Sequence, residues 1–127
     1  MNTVLNIAHI FDDLLSLKQV PLITKQDDIQ EIDGNYRFCG TTKQVVNDEY
    51  WIMDFIPDKT NKYLSPEVRN INQIPSKIPV DSFLYGFAQW MLVELDCTLD
   101  ELYPSSMYYC LSRCLVYDPT KRILRYV

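Results

Sequence analysis

Tyr50-Trp51-Ile52-Met53-Asp54-Phe55 and Pro79-Val80-Asp81-Ser82-Phe83-Leu84-Tyr85-Gly86-Phe87-Ala88 are the two stretches whose reading decides the fold. The first is rich in side chains that fit a pleated surface. Its period of two places Trp51, Met53 and Phe55 on one face and Tyr50, Ile52 and Asp54 on the other. The second offers Asp81 or Ser82 as a helix cap, followed by Phe83, Leu84, Phe87, Trp90, Met91 and Leu95 at helical spacing. An apolar strand face and an apolar helix stripe satisfy each other by mutual burial. The pair therefore predicts a sheet closed by a helix, with Trp51, Met53 and Phe55 pointing inward beneath it.

Towards the N-terminus, Val4, Ile7, Phe11, Leu14 and Leu15 recur at helical spacing, and Asn2 or Thr3 can serve as cap, predicting a helix over residues 3 to 18. Pro21 bars its continuation. His9 lies off the stripe and reads as a surface residue. Residues 24 to 33 turn polar and acidic, which reads as a loop or a weak edge strand, and are followed by Gly34-Asn35, a tight-turn signal. Tyr36-Arg37-Phe38-Cys39 reads as a strand, Gly40-Thr41-Thr42 as a break and Lys43-Gln44-Val45-Val46 as a second strand. Asn47-Asp48 is the next turn, and Lys62-Tyr63-Leu64 a further strand. Residues 65 to 79, with three prolines, read as a connection with little regular structure beyond 70 to 74.

Past the central helix, Thr98-Leu99-Asp100-Glu101 has the form of a capping box and opens a short helix. Ser105 or Ser106 caps the next, with Met107, Cys110, Leu111, Cys114 and Leu115 on its apolar side. Asp118-Pro119 starts a brief helix over Thr120 to Tyr126. The whole predicts one α+β domain spanning residues 1 to 127: an antiparallel sheet of about four to six strands with helices packed on one face.

The formal charge of −5 repels phosphate backbones and attracts basic partners, which excludes nucleic acid as a direct ligand. No apolar run reaches the roughly 20 residues needed to span a bilayer, and Met1 to Asn6 lack the basic and apolar regions of a leader. Cys39, Cys97, Cys110 and Cys114 have neither the spacing nor the histidine partners of a zinc site, so buried free thiols in a reducing cytoplasm are expected. One histidine, three glycines and no glycine-rich phosphate loop make a poor catalytic inventory. The chain reads as a binding protein without metal or cofactor.

Its candidate partner surface is acidic and aromatic together: Asp27, Asp28, Glu31 and Asp33 in the first loop, Tyr36, the turn residues Asp48 and Glu49, Tyr50, Asp54 and Asp58. On one surface, these carboxylates would speed encounter with a basic protein while tyrosines supply buried contact area.

Two resemblances follow from these residues. Leu14-Leu15-Ser16-Leu17-Lys18-Gln19-Val20-Pro21, Tyr36-Arg37-Phe38-Cys39-Gly40, Tyr50 to Phe55 and Val80-Asp81-Ser82-Phe83-Leu84-Tyr85-Gly86-Phe87 resemble, in order, an early helix, two strands and a helix start of the SUKH superfamily. That superfamily includes bacterial immunity proteins, so the likeness implies a cytoplasmic protein that neutralises a basic toxin domain by direct binding.

The second resemblance is to the C-terminal lobe of protein kinases. Tyr63-Leu64-Ser65-Pro66-Glu67 looks like its Ala-Pro-Glu motif, Asp81 with Gly86 like the Asp and Gly of a buried helix, and Asp118-Pro119-Thr120-Lys121-Arg122 like the late Asp-Pro-x-x-Arg. Asp54-Phe55-Ile56 imitates Asp-Phe-Gly too close to Glu67, and Tyr36-Arg37-Phe38 replaces His-Arg-Asp poorly. This likeness implies an inactive fragment or adaptor that is mainly helical, and in which Glu67 and Arg122 form a buried ion pair.

Overall fold

The computed structural model describes residues 2–123. Helix α1 (Asn2–Ser16) leads into four short strands, β1 (Gln19–Leu22), β2 (Ile29–Ile32), β3 (Asn35–Phe38) and β4 (Thr41–Gln44), then β5 (Tyr50–Met53). Helix α2 (Pro66–Arg69), strand β6 (Ser76–Pro79), helix α3 (Phe83–Glu94) and helix α4 (Ser106–Cys114) complete the order, with 3-10 turns between. The α+β class holds, and every strand pair is antiparallel. The strands, however, form three separate two-stranded ladders, β1 with β4, β2 with β3 and β5 with β6, where one continuous sheet was expected.

The reason lies in α3. Its buried residues Phe83, Leu84, Gly86, Phe87, Ala88, Trp90 and Met91 face more than one direction, and a helix that is apolar nearly all round must be enclosed. The ladders and helices surround it. Phe11 of α1 meets Phe83 and Phe87 edge-on at 5.1 and 5.4 Å, and Tyr36 of β3 meets Trp90 edge-on at 6.3 Å. Gly86 is required by this closeness: a Cβ there would stand 2.8 Å from the Tyr63 carbonyl oxygen and 3.1 Å from Ile23.

The α1 stripe is core, with Val4, Ile7 and Phe11 buried, and His9 is exposed. The helix stops at Ser16, short of residue 18, because Lys18 takes a left-handed φ of 60° that starts β1. Asp33 and Gly34, with φ of 54° and 82°, make the two-residue turn between β2 and β3, one residue ahead of the expected Gly34-Asn35, because Asn35 already pairs with Ile32. The remaining strands move. Thr41 and Thr42 pair with Leu22 and Pro21, so the expected break at Gly40-Thr41-Thr42 is confined to Gly40, where a Cβ would meet the Asp28 carboxyl at 2.8 Å.

Trp51 and Met53 point inward, 2 % and 0 % exposed, but β5 ends at Met53 and Phe55 is 41 % exposed under the ammonium of Lys43. Leu95, assigned to the α3 stripe, is likewise 41 % exposed just beyond the helix. Lys62-Tyr63-Leu64 is a turn, closed by the Leu64 amide donating to the Asn61 carbonyl. β5 instead pairs with β6, inside the proline-rich connection read as irregular; Pro79, at the last position of β6, stands opposite Tyr50. Ser105 caps α4 as expected, accepting from the Tyr108 amide at 3.2 Å. The terminal helix expected over Thr120 to Tyr126 is a 3-10 turn at Pro119–Lys121, and residues 124–126 of it lie outside the described residues. Among the described residues no helix is long and apolar enough to cross a membrane.

Cys110 and Cys114 are buried on the inner side of α4, whereas Cys39 is exposed and Cys97 half-buried. Burial pushes the Cys114 thiol up to about 12. A thiol-disulfide reagent applied to the folded protein is expected to modify Cys39 first and Cys97 next, with Cys110 and Cys114 reacting only in denaturant. Four reactive thiols under native conditions would contradict the packing of α4.

Candidate functional site

The ten residues of the predicted acidic and aromatic patch fall into two groups. Asp27, Glu31 and Asp33 are exposed on and beside the β2–β3 hairpin, where Glu31 stands opposite Tyr36. Asp28 is not part of that surface. It is 3 % exposed, and its Oδ2 accepts from the Thr24 amide at 2.8 Å, the Thr24 hydroxyl at 3.2 Å and the Lys25 amide at 3.3 Å. A carboxylate engaged by three local donors organises its own turn. Tyr36 is half-buried against Trp90, which leaves only part of its ring for a partner.

The second group lies along the β4–β5 turn and the loop beyond β5. Asp48 pairs with Lys18 at 2.5 Å, an exposed contact contributing about 0–1 kcal/mol. The Lys77 ammonium stands 4.7 Å from the Tyr50 ring centroid. Asp58 turns back on the Thr60 amide and hydroxyl at 2.9 and 2.7 Å, which holds its carboxyl below the usual range. Glu49 and Asp54 are exposed. Among the described residues no hydrogen bond or ion pair joins the two groups.

What the fold does bring together is Glu67 and Arg122. Pro66 at the first position of α2 sets Glu67 in its first turn, and Asp118 caps the 3-10 turn that delivers Arg122. The Arg122 side chain is fully buried. Its Nη1 and Nη2 donate to Glu67 Oε2 and Oε1 at 2.5 and 2.9 Å, a fork-to-fork pair. Nε donates to the Val116 carbonyl at 2.7 Å and Nη2 to the Tyr117 carbonyl at 3.0 Å. Ser82, at the threshold of α3, donates to Glu67 Oε2 at 2.6 Å. The Tyr85 ring stacks within 5.4 Å of the Arg122 guanidinium and 5.9 Å of that of Arg69. One network thus joins α2, α3 and the C-terminal turn. Asp81, beside it in sequence, is exposed.

Burial pushes the Glu67 carboxyl up, but hydrogen bonds from Arg122 and Ser82 outweigh it and hold the group below its ordinary 4.5. A depressed folded-state pKa contributes stability that is fully present above the unfolded value and is lost as pH falls through the folded one. The stability advantage of the wild type over Glu67→Gln is therefore expected to be constant above about pH 5 and to shrink below about pH 4.5. Urea titrations of both proteins across that window measure it; an advantage that grows on acidification would reverse the assignment.

A second polar network spans the other end of α3. Trp90 Nε1 donates to the Gln26 carbonyl at 2.9 Å, and Gln26 Nε2 returns to the Trp90 carbonyl at 3.2 Å and to Glu94 Oε1 at 2.8 Å. The Tyr63 hydroxyl donates to Gln26 Oε1 at 2.7 Å. Beside it, an open groove of about 610 Å³ runs along Leu92, Val93 and Leu99, with Asp96 and Glu101 in its walls and Lys62 at its edge. The sequence reading missed this groove. Its signal was the charge pattern: from Lys77 to Arg113 the chain carries five acids and no base between.

No family model, no characterised protein and no solved structure matches the chain.

Proposed function

We propose that the chain is a non-enzymatic protein-binding module built on the core of a protein kinase C-terminal lobe. The observation that carries this reading is the buried Glu67–Arg122 pair. The kinase likeness required it between two short motifs far apart in sequence, and the geometry is bidentate and braced by Ser82, with the arginine fully buried and the glutamate 20 % exposed. Burying an arginine costs several kcal/mol unless its hydrogen bonds are met, so such a pair does not arise from loose packing. The enclosure of α3, with Gly86 against the Tyr63 carbonyl, adds support for the glycine of that likeness, whereas Asp81, which the likeness set on the same buried helix, stands exposed in the 3-10 turn before it.

Catalysis has little to work with. Asp54 and Phe55 stand exposed beyond β5, and Arg37 is held in a hairpin opposite Gln30. The module acts by occupying a surface of a basic protein partner, in a cytoplasm whose reducing conditions suit four free thiols. Neutralisation of a toxin is the second reading. It is favoured by the exposed acids Asp27, Glu31 and Asp33 on and beside one hairpin.

The test has two arms. Incubation with magnesium ATP and a basic acceptor protein is expected to transfer no phosphate, and transfer would overturn the non-catalytic part. Calorimetric titration against a panel of purified basic proteins, including any toxin encoded beside the gene, is expected to give at least one saturable complex. A panel without one at about 100 μM would overturn the binding part.

A further inference from the structure

We infer that the groove beside the C-terminal end of α3 is the docking site for a basic, amphipathic polypeptide segment. This deepens the binding-module reading and rests on it, by naming the place and the chemistry of the partner. Four observations converge on that occupant. The groove's volume of about 610 Å³ suits the side chains of a docked segment, and its mixed lining sets Leu92, Val93 and Leu99 among polar and acidic groups. Asp96 and Glu101 line it, and Glu94 and Asp100 adjoin it in sequence, with Lys62 as its one base. The carbonyl end of α3 points the negative pole of the helix to the same side. Finally, Tyr103, 62 % exposed and two residues beyond Glu101, is fixed edge-on against Tyr108 at 5.0 Å.

Asp96 and Asp100 are exposed to a partner, whereas Glu101 and Glu94 each have one carboxylate oxygen already engaged within the fold. Glu101 Oε1 is held by the Thr98 amide and hydroxyl at 3.3 and 3.1 Å, and Asp96 occupies a left-handed turn with φ of 51° that directs the chain out of the helix. Among the described residues no cluster of three metal-ligating side chains forms. A phosphate-bearing ligand is repelled by every acid of the region, as is an anionic membrane. A peptide with lysines or arginines flanking leucine-like anchors meets all the terms at once. Its anchors cover Leu92, Val93 and Leu99, its cations meet Asp96, Asp100 and Glu101, and one of them can lie over the face of Tyr103.

The test uses the full chain and a fluorescein-labelled peptide of leucine and lysine at amphipathic helical spacing, with a leucine and glutamate counterpart as control. Anisotropy is expected to show saturable, salt-sensitive binding of the lysine peptide and none of the glutamate peptide. The combined variant Asp96→Asn with Asp100→Lys, both exposed positions, is expected to weaken binding about tenfold. Asp27→Asn with Asp33→Asn on the β2–β3 hairpin is expected to stay within about twofold. Cys97 lines the groove, so bound peptide should slow its modification while leaving that of Cys39 unchanged.

Binding unaltered by the groove variant, or without protection of Cys97, overturns the inference. Loss in the hairpin variant alone moves the partner to that hairpin; the groove then falls while the binding module stands. No saturable binding of the lysine peptide overturns the groove as well. A protein complex found in the calorimetric panel would still uphold the module.

Discussion

Replacing Arg122 with methionine is expected to cost about 3–5 kcal/mol of folding stability, because removal of one partner strands the other in a largely desolvated site. The effect here comes from several losses together. Glu67 would keep its charge without the guanidinium that offsets it, the carbonyls of Val116 and Tyr117 would each lose a donor, and the Tyr85 ring would lose the cation stacked on it. Arg122→Lys is expected to restore little. A single ammonium cannot donate in a fork to Glu67 while also reaching both carbonyls.

The double replacement Glu67→Leu with Arg122→Met removes both charges and is expected to recover much of the loss, since an apolar pair of similar size needs no desolvation. Urea unfolding followed by circular dichroism gives all four corners of the cycle. A coupling energy under about 0.5 kcal/mol would mean that the two side chains do not act on each other, and the central support for the kinase-lobe reading would go with it.

Trp90→Ala should be the most damaging single change in the core. Trp90 is 1 % exposed at the meeting of α3, the β2–β3 hairpin and the turn that carries Gln26. Truncation of such a residue costs about 3–5 kcal/mol in lost burial and cavity formation. The orphaned Gln26 carbonyl adds about 1–3 kcal/mol where the opened space does not admit water. Against the roughly 5–15 kcal/mol that holds a domain of this size folded, the sum removes all of the stability at the low end of that range and about half at the high end.

The expected result is a protein without a cooperative unfolding transition near 37 °C. Trp90→Phe keeps most of the apolar contact while losing only the indole donor, and should retain a sharp transition at a lower midpoint. A loss below about 1 kcal/mol in Trp90→Ala would show that the hairpin is not packed on α3 as described.

Much of this architecture was legible in local pattern. The helical spacing of Val4, Ile7 and Phe11, the Ser105 cap, and the Asp33-Gly34 turn act over a few residues and leave a mark in the chain itself. β6 left a weaker mark, because prolines at residues 75 and 79 hide a short strand whose only partner is β5. The candidate patch was legible as composition but not as a surface. Nothing local distinguishes Asp28, folded inward onto Thr24, from Asp27, which faces solvent. The groove escaped notice because its lining is shared between Lys62 and the segment from Gln89 to Glu101.

By itself the sequence determined helices α1, α3 and α4, the turns near Gly34 and at Asn47-Asp48, that the field is acidic, and that Glu67 and Arg122 sit in motifs able to meet. Only the tertiary structure decided that they do meet, that Phe55 faces outward, and that the strands divide into three ladders around α3 instead of forming one sheet. The physical reason is range. Caps, turns and periodicity are set by neighbours within about one or two helical turns. Burial of most of a helix between several elements and pairing of charges 55 residues apart are won only when distant segments exclude water together.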